Sequence, residues 1–364
     1  MGSMKKFALA ALLSAFAAQA FAARPVGVAE LERMLGQVRN RSDFSIAAML
    51  AGLELTERCS AARLAQWQAM APGRRAHDAL TALADASILL DLPASELPPD
   101  AAPSLDEQRR IVKLTIDYVA QAFPRLPNFL ADRQTVYYED ATAQSAFLIN
   151  GRNRMPTADA EPLHVVSRST VHVAYRDGKE VLDTSKGSHT PFISRRQLTS
   201  SGEFGPILGL LAFDAAKGSL AWSHWERGPS GLEAHFTIAV PQEHSHFRVD
   251  LACGSGVNAH FPAYHGEFAV DPATGAVLRL LVSATLPFPC PTVSSTIATE
   301  FGPVELGGHT YICPLHSVSI SSAPADANNG PRTQLNDVVF TNYRLFRAES
   351  RIVSVGGQPA QQPD

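Results

Sequence analysis

Three histidines and one glutamate in the second half of the chain are the residues best suited to bind a metal ion. Three segments there, Leu220–Trp225, Ala234–Val240 and His244–Leu251, alternate apolar and polar residues, which predicts adjacent antiparallel strands. Directly opposed side chains on such strands lie about 5 Å apart, so imidazoles on them can converge. Imidazole and carboxylate ligands suit zinc, copper or iron. The candidate metal ligands are His224, His235, His246 and Glu267.

The same four residues also have a simpler interpretation. In the second segment Phe236, Ile238 and Val240 alternate to one face, which turns His235 to the other. An antiparallel sheet often packs one face on the core and leaves its polar face in water. The cluster is therefore predicted either to bind a metal ion on the outer face of the sheet or to form part of a solvated polar surface.

Trp222 and Trp225 lie on the first of these predicted strands, three residues apart. On a regular strand this odd spacing places them on opposite faces. We expect at least one to pack in the core, which is the more common role of tryptophan. The other is a candidate for the floor of a ligand-binding groove.

Other catalytic and cofactor motifs are absent from the sequence. Gly254-Ser255-Gly256 is too short for a nucleophile elbow, and neither a P-loop, a G-x-G-x-x-G fingerprint nor H-E-x-x-H occurs. No catalytic residue is therefore assigned, no cofactor is predicted, and whether the chain is an enzyme stays open. The formal net charge of −4 at pH 7 also differs from the strongly basic character of nucleic-acid-binding domains.

The four cysteines predict a disulfide. An even number of cysteines in an exported chain favours disulfides, and no C-x-x-C pair points to a zinc or redox site. If Tyr264–Val270 pairs with both His244–Leu251 and Ala276–Leu286, then Cys253 and Cys290 leave the sheet at the same end. We expect these two to be bridged, whereas Cys59 and Cys313 either pair or stay free.

The N-terminal segment predicts export. Lys5-Lys6 precedes the apolar run Phe7–Ala22, which ends in the small-x-small pattern Ala20-Phe21-Ala22. This is the pattern of a cleaved signal peptide over residues 1–22, with residues 1–3 left over from cloning. The run is shorter than the roughly 20 residues that a membrane-spanning helix needs. We therefore predict a periplasmic or secreted protein without a transmembrane span in its mature chain.

The mature chain divides into two regions of different periodicity. Residues 23–131 show helical spacing, with a Pro-rich linker at Leu97–Pro103 and a capping box at Ser104 and Glu107. Residues 132–355 show strand periodicity with one inserted helix near Phe204–Ala216. The expected fold is α+β, with an N-terminal helical bundle followed by a curved antiparallel sheet. The tail, residues 356–364, is expected to be disordered.

Three turn signals support the antiparallel sheet. Asp177-Gly178, Val270–Gly275 and Gly307-Gly308 each separate two alternating segments and contain a glycine for the left-handed position. Hairpins at all three positions would make successive strands antiparallel.

Several segments resemble those of an uncharacterised group of secreted bacterial proteins, over most of the mature chain. More distantly, the strands ending in Val338–Phe340 and Tyr343–Phe346 are similar to the lipoprotein carrier proteins LolA and LolB. That resemblance implies a half-barrel of antiparallel strands around helices, which holds lipid in its hollow. It transfers no site residue, and the helical region of about a hundred residues departs from that pattern. The segments that carry the first resemblance are Leu55–Arg58, Leu126–Phe129, Phe261–Glu267, Asp271–Gly275, Gly302–Gly308 and Tyr311–Pro314.

Two main functions remain in competition. Ala276–Leu286 is apolar on both faces, so it must be covered on two sides by helices or by a ligand. This favours non-catalytic binding of an apolar, lipid-like ligand or an envelope protein partner against the concave sheet. The alternative is a metal-dependent hydrolase or oxidase built on His224, His235 and His246. A structural role in envelope assembly is a third possibility.

Overall fold

A computed structural model describes residues 23–38, 40–122, 125–141, 161–176, 179–182, 198–253, 256–286, 294–323 and 332–346. Both helices and a large antiparallel sheet are present, which confirms the α+β class. Among the described residues, no helix is both long and apolar enough to span a membrane. The predicted signal peptide and C-terminal tail lie outside the described residues.

Six helices occur in the described residues. Ser42 and Ser60 cap the second and third of them by accepting hydrogen bonds from the backbone N–H groups of Ser45 and Arg63. Ser104 likewise accepts from the N–H of Glu107, at 3.3 Å, where the sequence predicts a capping box. The helices are α1 (Val28–Gln37), α2 (Asp43–Ala51), α3 (Ala61–Met70), α4 (Arg74–Ala86), α5 (Leu105–Ala122) and α6 (Pro206–Asp214).

The strands of the described residues form one large sheet and two small ones. They are β1 (Arg24–Val26), β2 (Leu53–Leu55), β3 (Phe129–Ala141), β4 (Glu161–Arg176), β5 (Lys179–Leu182), β6 (Ser219–Gly228), β7 (Gly231–Val240), β8 (Val249–Cys253), β9 (Gly256–His260), β10 (Tyr264–Val270), β11 (Val277–Thr285), β12 (Ser294–Leu306), β13 (His309–Ala323) and β14 (Arg332–Leu345). The short β1 and β2 pair in parallel within the otherwise helical N-terminal region, a feature that the periodicity does not predict.

The large sheet has ten strands in the order β5-β4-β3-β14-β13-β12-β11-β10-β7-β6, and every pair is antiparallel. Two of the three predicted hairpins are confirmed. Gly275 closes the turn between β10 and β11 at φ +76°, and Gly307 and Gly308 join β12 to β13 at φ +62° and +84°. The Asp177-Gly178 turn lies outside the described residues.

The predicted position of the His244–Leu251 segment is wrong, because it pairs with neither Ala234–Val240 nor Tyr264–Val270. β7 pairs with β10, and the segment after β7 leaves the large sheet instead of adding a third strand to a meander. Pro241 follows β7, and Gln242–His244 forms a 3₁₀ turn. β8 then pairs with β9 in a separate hairpin. Proline cannot donate to a strand ladder, so the chain is free to turn away at this point.

Helices cover the large sheet on both faces. On one face, α5 and α6 pack with Phe236, Phe268 and Leu280 in the largest apolar core. On the other face, Ala82 of α4 packs against side chains of β3, β13 and β14. β11 is buried on both faces, as the sequence predicts, and α5 and α6 cover one of them. The inserted helix near Phe204–Ala216 is confirmed as α6.

The N-terminal helices have an apolar core of their own. Trp67, Leu31, Leu35, Leu50 and Leu80 are fully or almost fully buried within it. These residues come from all four helices α1–α4, which are therefore held together by side-chain burial.

The cysteine prediction is partly settled. Cys59 and Cys313 are both free thiols, so they do not pair with each other. Burial raises the pKa of each thiol to about 12, which makes both unreactive at neutral pH. The predicted Cys253–Cys290 bridge lies outside the described residues, because Cys290 and the side chain of Cys253 are not described.

Candidate metal centre

A bulge in the edge strand β6 shapes the candidate site. Trp222 lies opposite Phe236 and Trp225 lies opposite Ala234, so two residues, Ser223 and His224, face the single His235 between them. Such a bulge interrupts the alternation of faces and re-aims side chains. Counted back from the turn, Glu226 lies opposite Glu233 and Trp225 opposite Ala234, so His224 continues this register on the same face as His235.

The bulge also changes the placement of the two tryptophans. Both pack against the apolar core under α5 and α6, so the prediction of opposite faces is wrong. Their ring centroids lie 4.8 Å apart in an edge-to-face arrangement. The indole N–H of Trp225 donates to the carbonyl of Ala101 at 2.8 Å, which anchors the linker before α5. The extra residue of the bulge is the reason that simple alternation fails here.

The two imidazoles of the site are stacked. The ring centroids of His224 and His235 lie 4.5 Å apart, with 26° between their planes. The Nδ1 atom of His235 lies 2.9 Å from Oε1 of Glu267, and Nδ1 of His224 lies 2.8 Å from Oγ of Ser223. A histidine whose Nδ1 is bonded in this way presents its Nε2 in a fixed direction.

Both Nε2 atoms point towards one carboxylate. Oε2 of Glu226 lies 3.5 Å from Nε2 of His224 and 3.5 Å from Nε2 of His235. Each Nε2 atom is buried, and neither has a hydrogen-bond partner among the described residues. The potential ligand atoms of His224, Glu226 and His235 all lie within 4.8 Å of one another. Two imidazoles and one carboxylate are thus gathered around a common point.

Residues of the N-terminal region cover this cluster. The Arg58 guanidinium, between β2 and α3, forms an ion pair with Glu226. Arg279 of β11 lies 3.5 Å from Glu267 and donates to the carbonyl of Ile88 at 3.2 Å. The His235 side chain is only 1% exposed. The expected outer, solvated face is therefore wrong, because the N-terminal region packs over it.

The histidines and arginines of the cluster lower the pKa of its two glutamates. Burial favours the neutral form of the Glu226 carboxyl, but the contacts with His224, Arg58 and His235 outweigh it and lower its pKa to about 2. Burial acts in the same direction on Glu267, and His235 and Arg279 lower its pKa to about 2. Both glutamates are therefore anionic at neutral pH, which is the form that binds cations.

His246 lies apart from the other candidate ligands. Its backbone N–H donates to Oδ2 of Asp214 at 3.0 Å, and its Nδ1 contacts the same carboxylate. Asp214 is fully buried at the end of α6 and also accepts from the hydroxyl of Tyr264 at 2.9 Å. The structure therefore brings His224, His235 and Glu267 together but leaves His246 beside α6.

Sequence reasoning missed Glu226 and Arg58. Glu226 lies two residues after His224 on the same strand, so its alternation was a usable signal for a shared face. Arg58 contacts the site from 168 residues away in sequence, and no local pattern predicts such a contact.

A small cavity lies on the opposite face of the sheet. It has a volume of about 210 Å³, is partly open to solvent, and is lined by residues of α5, α6, β11 and β13. Its lining is mostly apolar, with Tyr118, Val119, Leu126, Leu208, Val277 and Ile312 among the residues. The helices thus cover the sheet without completely filling the space above it.

No protein family model, no curated protein and no solved structure matches this chain. The function of the chain is therefore inferred from the geometry of its residues alone.

Proposed function

We propose that this protein binds a divalent metal ion of the zinc class through His224, His235 and Glu226. The supporting observation is the pair of buried Nε2 atoms, each 3.5 Å from the same Glu226 oxygen and without a hydrogen-bond partner in the described residues. A buried polar atom without a partner costs about 1–3 kcal/mol, and a bound ion would remove that cost.

The spacing of the ligand atoms favours zinc over iron. With metal–ligand bonds of about 2.1 Å, ligand atoms lie about 3.4 Å apart in a tetrahedron and about 3.0 Å apart on an octahedral face. The two measured separations of 3.5 Å are closer to the tetrahedral value. Glu267 and Ser223 then act as outer partners that orient the two imidazoles.

Three protein ligands leave a fourth tetrahedral position for water, which is the usual arrangement in catalytic zinc sites. Zinc lowers the pKa of such a water to about 7 and so supports hydrolysis. Glu233 is a further carboxylate beside these ligands, since its Oε2 lies 3.8 Å from Nε2 of His235. Of the two enzyme classes considered, hydrolase therefore fits the geometry better than oxidase.

The test is elemental analysis and zinc titration of the full-length chain. We expect at least one zinc per chain, and a loss of affinity at the tightest zinc site of at least about 100-fold in Glu226→Gln and His224→Gln. The matched control is His246→Gln, which should bind zinc like the unaltered protein because His246 lies apart. A wild-type protein that takes up no zinc after removal of bound metal would sink the proposal. Zinc-dependent hydrolysis of p-nitrophenyl esters then tests the enzyme class.

A second candidate function is non-catalytic binding of a small apolar ligand. Its support is the cavity of about 210 Å³ between α5, α6 and the sheet. A cavity of about 150 Å³ holds benzene, whereas drug-sized ligands occupy about 300–1,000 Å³. The cavity is thus suited to one ring or to the end of an acyl chain. Native mass spectrometry of the purified protein, with Leu208→Trp to fill the cavity, tests for a co-purifying ligand.

Three further proposals rest on the sequence. They are an N-terminal helical bundle over residues 23–131, from which β3 of the large sheet already takes Phe129–Ala131, a half-barrel curvature of that sheet as in LolA and LolB, and a periplasmic or secreted location. Envelope partners, either a lipid-like ligand or another protein, belong with the second candidate function. Detection of the mature chain in a periplasmic extract would test the location directly.

A further inference from the structure

A second cluster of carboxylates and imidazole lies on the same helix-covered face of the sheet. Asp85 projects from α4, His316 from β13 and Asp337 from β14. Nε2 of His316 lies 2.7 Å from Oδ1 of Asp337, and its Nδ1 lies 3.6 Å from Oε2 of Glu300 on β12. Potential ligand atoms of Asp85, His316 and Asp337 all lie within 4.8 Å of one another.

Negative charge is in excess in this cluster. Three carboxylates face one imidazole, so the group stays negative overall even when His316 carries a proton. The arginines whose charge acts on Glu300 are Arg279 and Arg58, and each already pairs with another carboxylate, Glu267 and Glu226 respectively. Buried charge without a counter-charge is strongly unfavourable, so a further cation in this cluster would be stabilising.

Asp85 supplies an independent sign that a ligand belongs here. The residue is only 4% exposed, and its Oδ2 atom is buried without a hydrogen-bond partner in the described part of the chain. The Asp85 side chain is therefore inside the cluster but is not satisfied by it.

We propose that Asp85, His316 and Asp337, with Glu300 beside them, bind a second divalent cation that fastens α4 to the large sheet. Mostly carboxylate ligands with a single imidazole suit a manganese-like ion, whereas the first centre has two imidazoles and suits zinc. The His316 and Glu300 side chains are 30% and 43% exposed, so an ion can enter from their side. This site goes beyond the proposed zinc centre and shares no ligand with it.

Manganese binding to the full-length chain tests the proposal. The protein is freed of metal, supplied with one equivalent of zinc, and titrated with Mn²⁺ while electron paramagnetic resonance follows the free ion. We expect one Mn²⁺ per chain, at least tenfold weaker binding in Asp85→Asn, and a rise in the unfolding temperature with added Mn²⁺. Asp337→Asn is the second variant if Asp85→Asn does not fold.

Two controls separate this site from the zinc centre. Asp78 lies on α4, like Asp85, but its carboxylate pairs with Arg168. Asp78→Asn should therefore leave Mn²⁺ binding unchanged. Glu226→Gln should weaken zinc binding but not Mn²⁺ binding, so a failure of one site does not imply a failure of the other. Zinc-loaded protein that binds no Mn²⁺, or binding that is equal in wild type and Asp85→Asn, would overturn the second site.

Discussion

The two faces of the large sheet use neighbouring residues of the same strands and yet bury opposite kinds of side chain. On β7 and β10, Phe236 and Phe268 stack 5.5 Å apart beneath α5 and α6. The adjacent His235 and Glu267 point to the other face and bond to each other beneath the N-terminal region. Both faces are covered by helices, so coverage alone does not explain the difference in chemistry.

The comparison shows that the charged face requires an additional explanation. Apolar side chains gain about 25 cal/mol for each Å² removed from water, and they need no specific partner. Buried charges lose the free energy of their hydration, and ion pairing offsets this loss only when the geometry of the pair is good. A face of glutamates, histidines and arginines buried between the sheet and the N-terminal region therefore points to a ligand or to specific docking, not to general stability.

The largest effect is expected from breaking the apolar face. Phe268→Ala removes a side chain that is 2% exposed, and such a truncation typically lowers the free energy of unfolding by about 3–5 kcal/mol. Denaturant unfolding of the purified variant measures the loss. Zinc binding should be retained under native conditions, because Phe268 points away from the metal centre. A loss below about 1 kcal/mol would contradict the assignment of this face as the main core.

A smaller effect is expected from breaking the charged face. Arg58→Met removes the guanidinium that pairs with Glu226, whose side chain is 14% exposed, and should cost about 3 kcal/mol because a buried carboxylate loses its partner. The matched control is Arg168→Met. It breaks the more exposed pair with Asp78 between β4 and α4 and should cost less than about 1 kcal/mol. Equal losses of unfolding free energy in the two variants would show that the Arg58–Glu226 pair stabilises the fold no more than an exposed ion pair does.

A third prediction concerns Glu180, a partly buried carboxylate of β5 that accepts a hydrogen bond from the N–H of Gly202 at 3.0 Å. Burial and the neighbouring Glu203 raise the pKa of Glu180 to about 7, although Arg133 and the N–H of Gly202 act against the shift. Between pH 4.5 and 7, the unfolded chain then ionises this group more readily than the folded chain. Stability should therefore fall as the pH rises through that window, by about 3 kcal/mol.

The measurement is denaturant unfolding at several pH values between 4 and 8, for wild type and Glu180→Gln. The glutamine variant should lack most of the decline, since it carries no ionisable group at this position. Glu226, which lies among cations on the charged face, has a pKa of about 2 and adds no decline in the same window. An identical pH dependence in both proteins would rule out Glu180 as its source.

Much of the fold follows from local patterns in the sequence. Glycine at Gly275 and at Gly307-Gly308 allows the positive φ angles of two hairpins, so these turns are predictable without tertiary information. The helix cap at Ser104 and the alternation in β7 are equally local. Strand partners are less so, because Pro241 ends β7 and the next segment is held by Asp214 of α6, which no spacing rule predicts.

The candidate metal centre was only partly predictable for the same reason. His224, His235 and Glu267 share a face by alternation and by a single strand neighbour. Glu226 lies two residues after His224 on the same strand, so the alternation that groups the histidines also predicts its carboxylate on their face. Asp85, at the second site, reaches the sheet from a helix more than two hundred residues away from His316 in sequence.

The sequence by itself determined the elements that depend on nearby residues: helices with their caps, alternating strands, glycine turns and the α+β class. Tertiary structure alone decided that the histidine-bearing face is covered, that Arg58 and Asp85 lie on it, and that a bulge places Trp222 on the same face as Trp225. The physical reason is range. Backbone preferences act over a few residues, whereas burial and ion pairing depend on which distant segments the folded chain brings into contact.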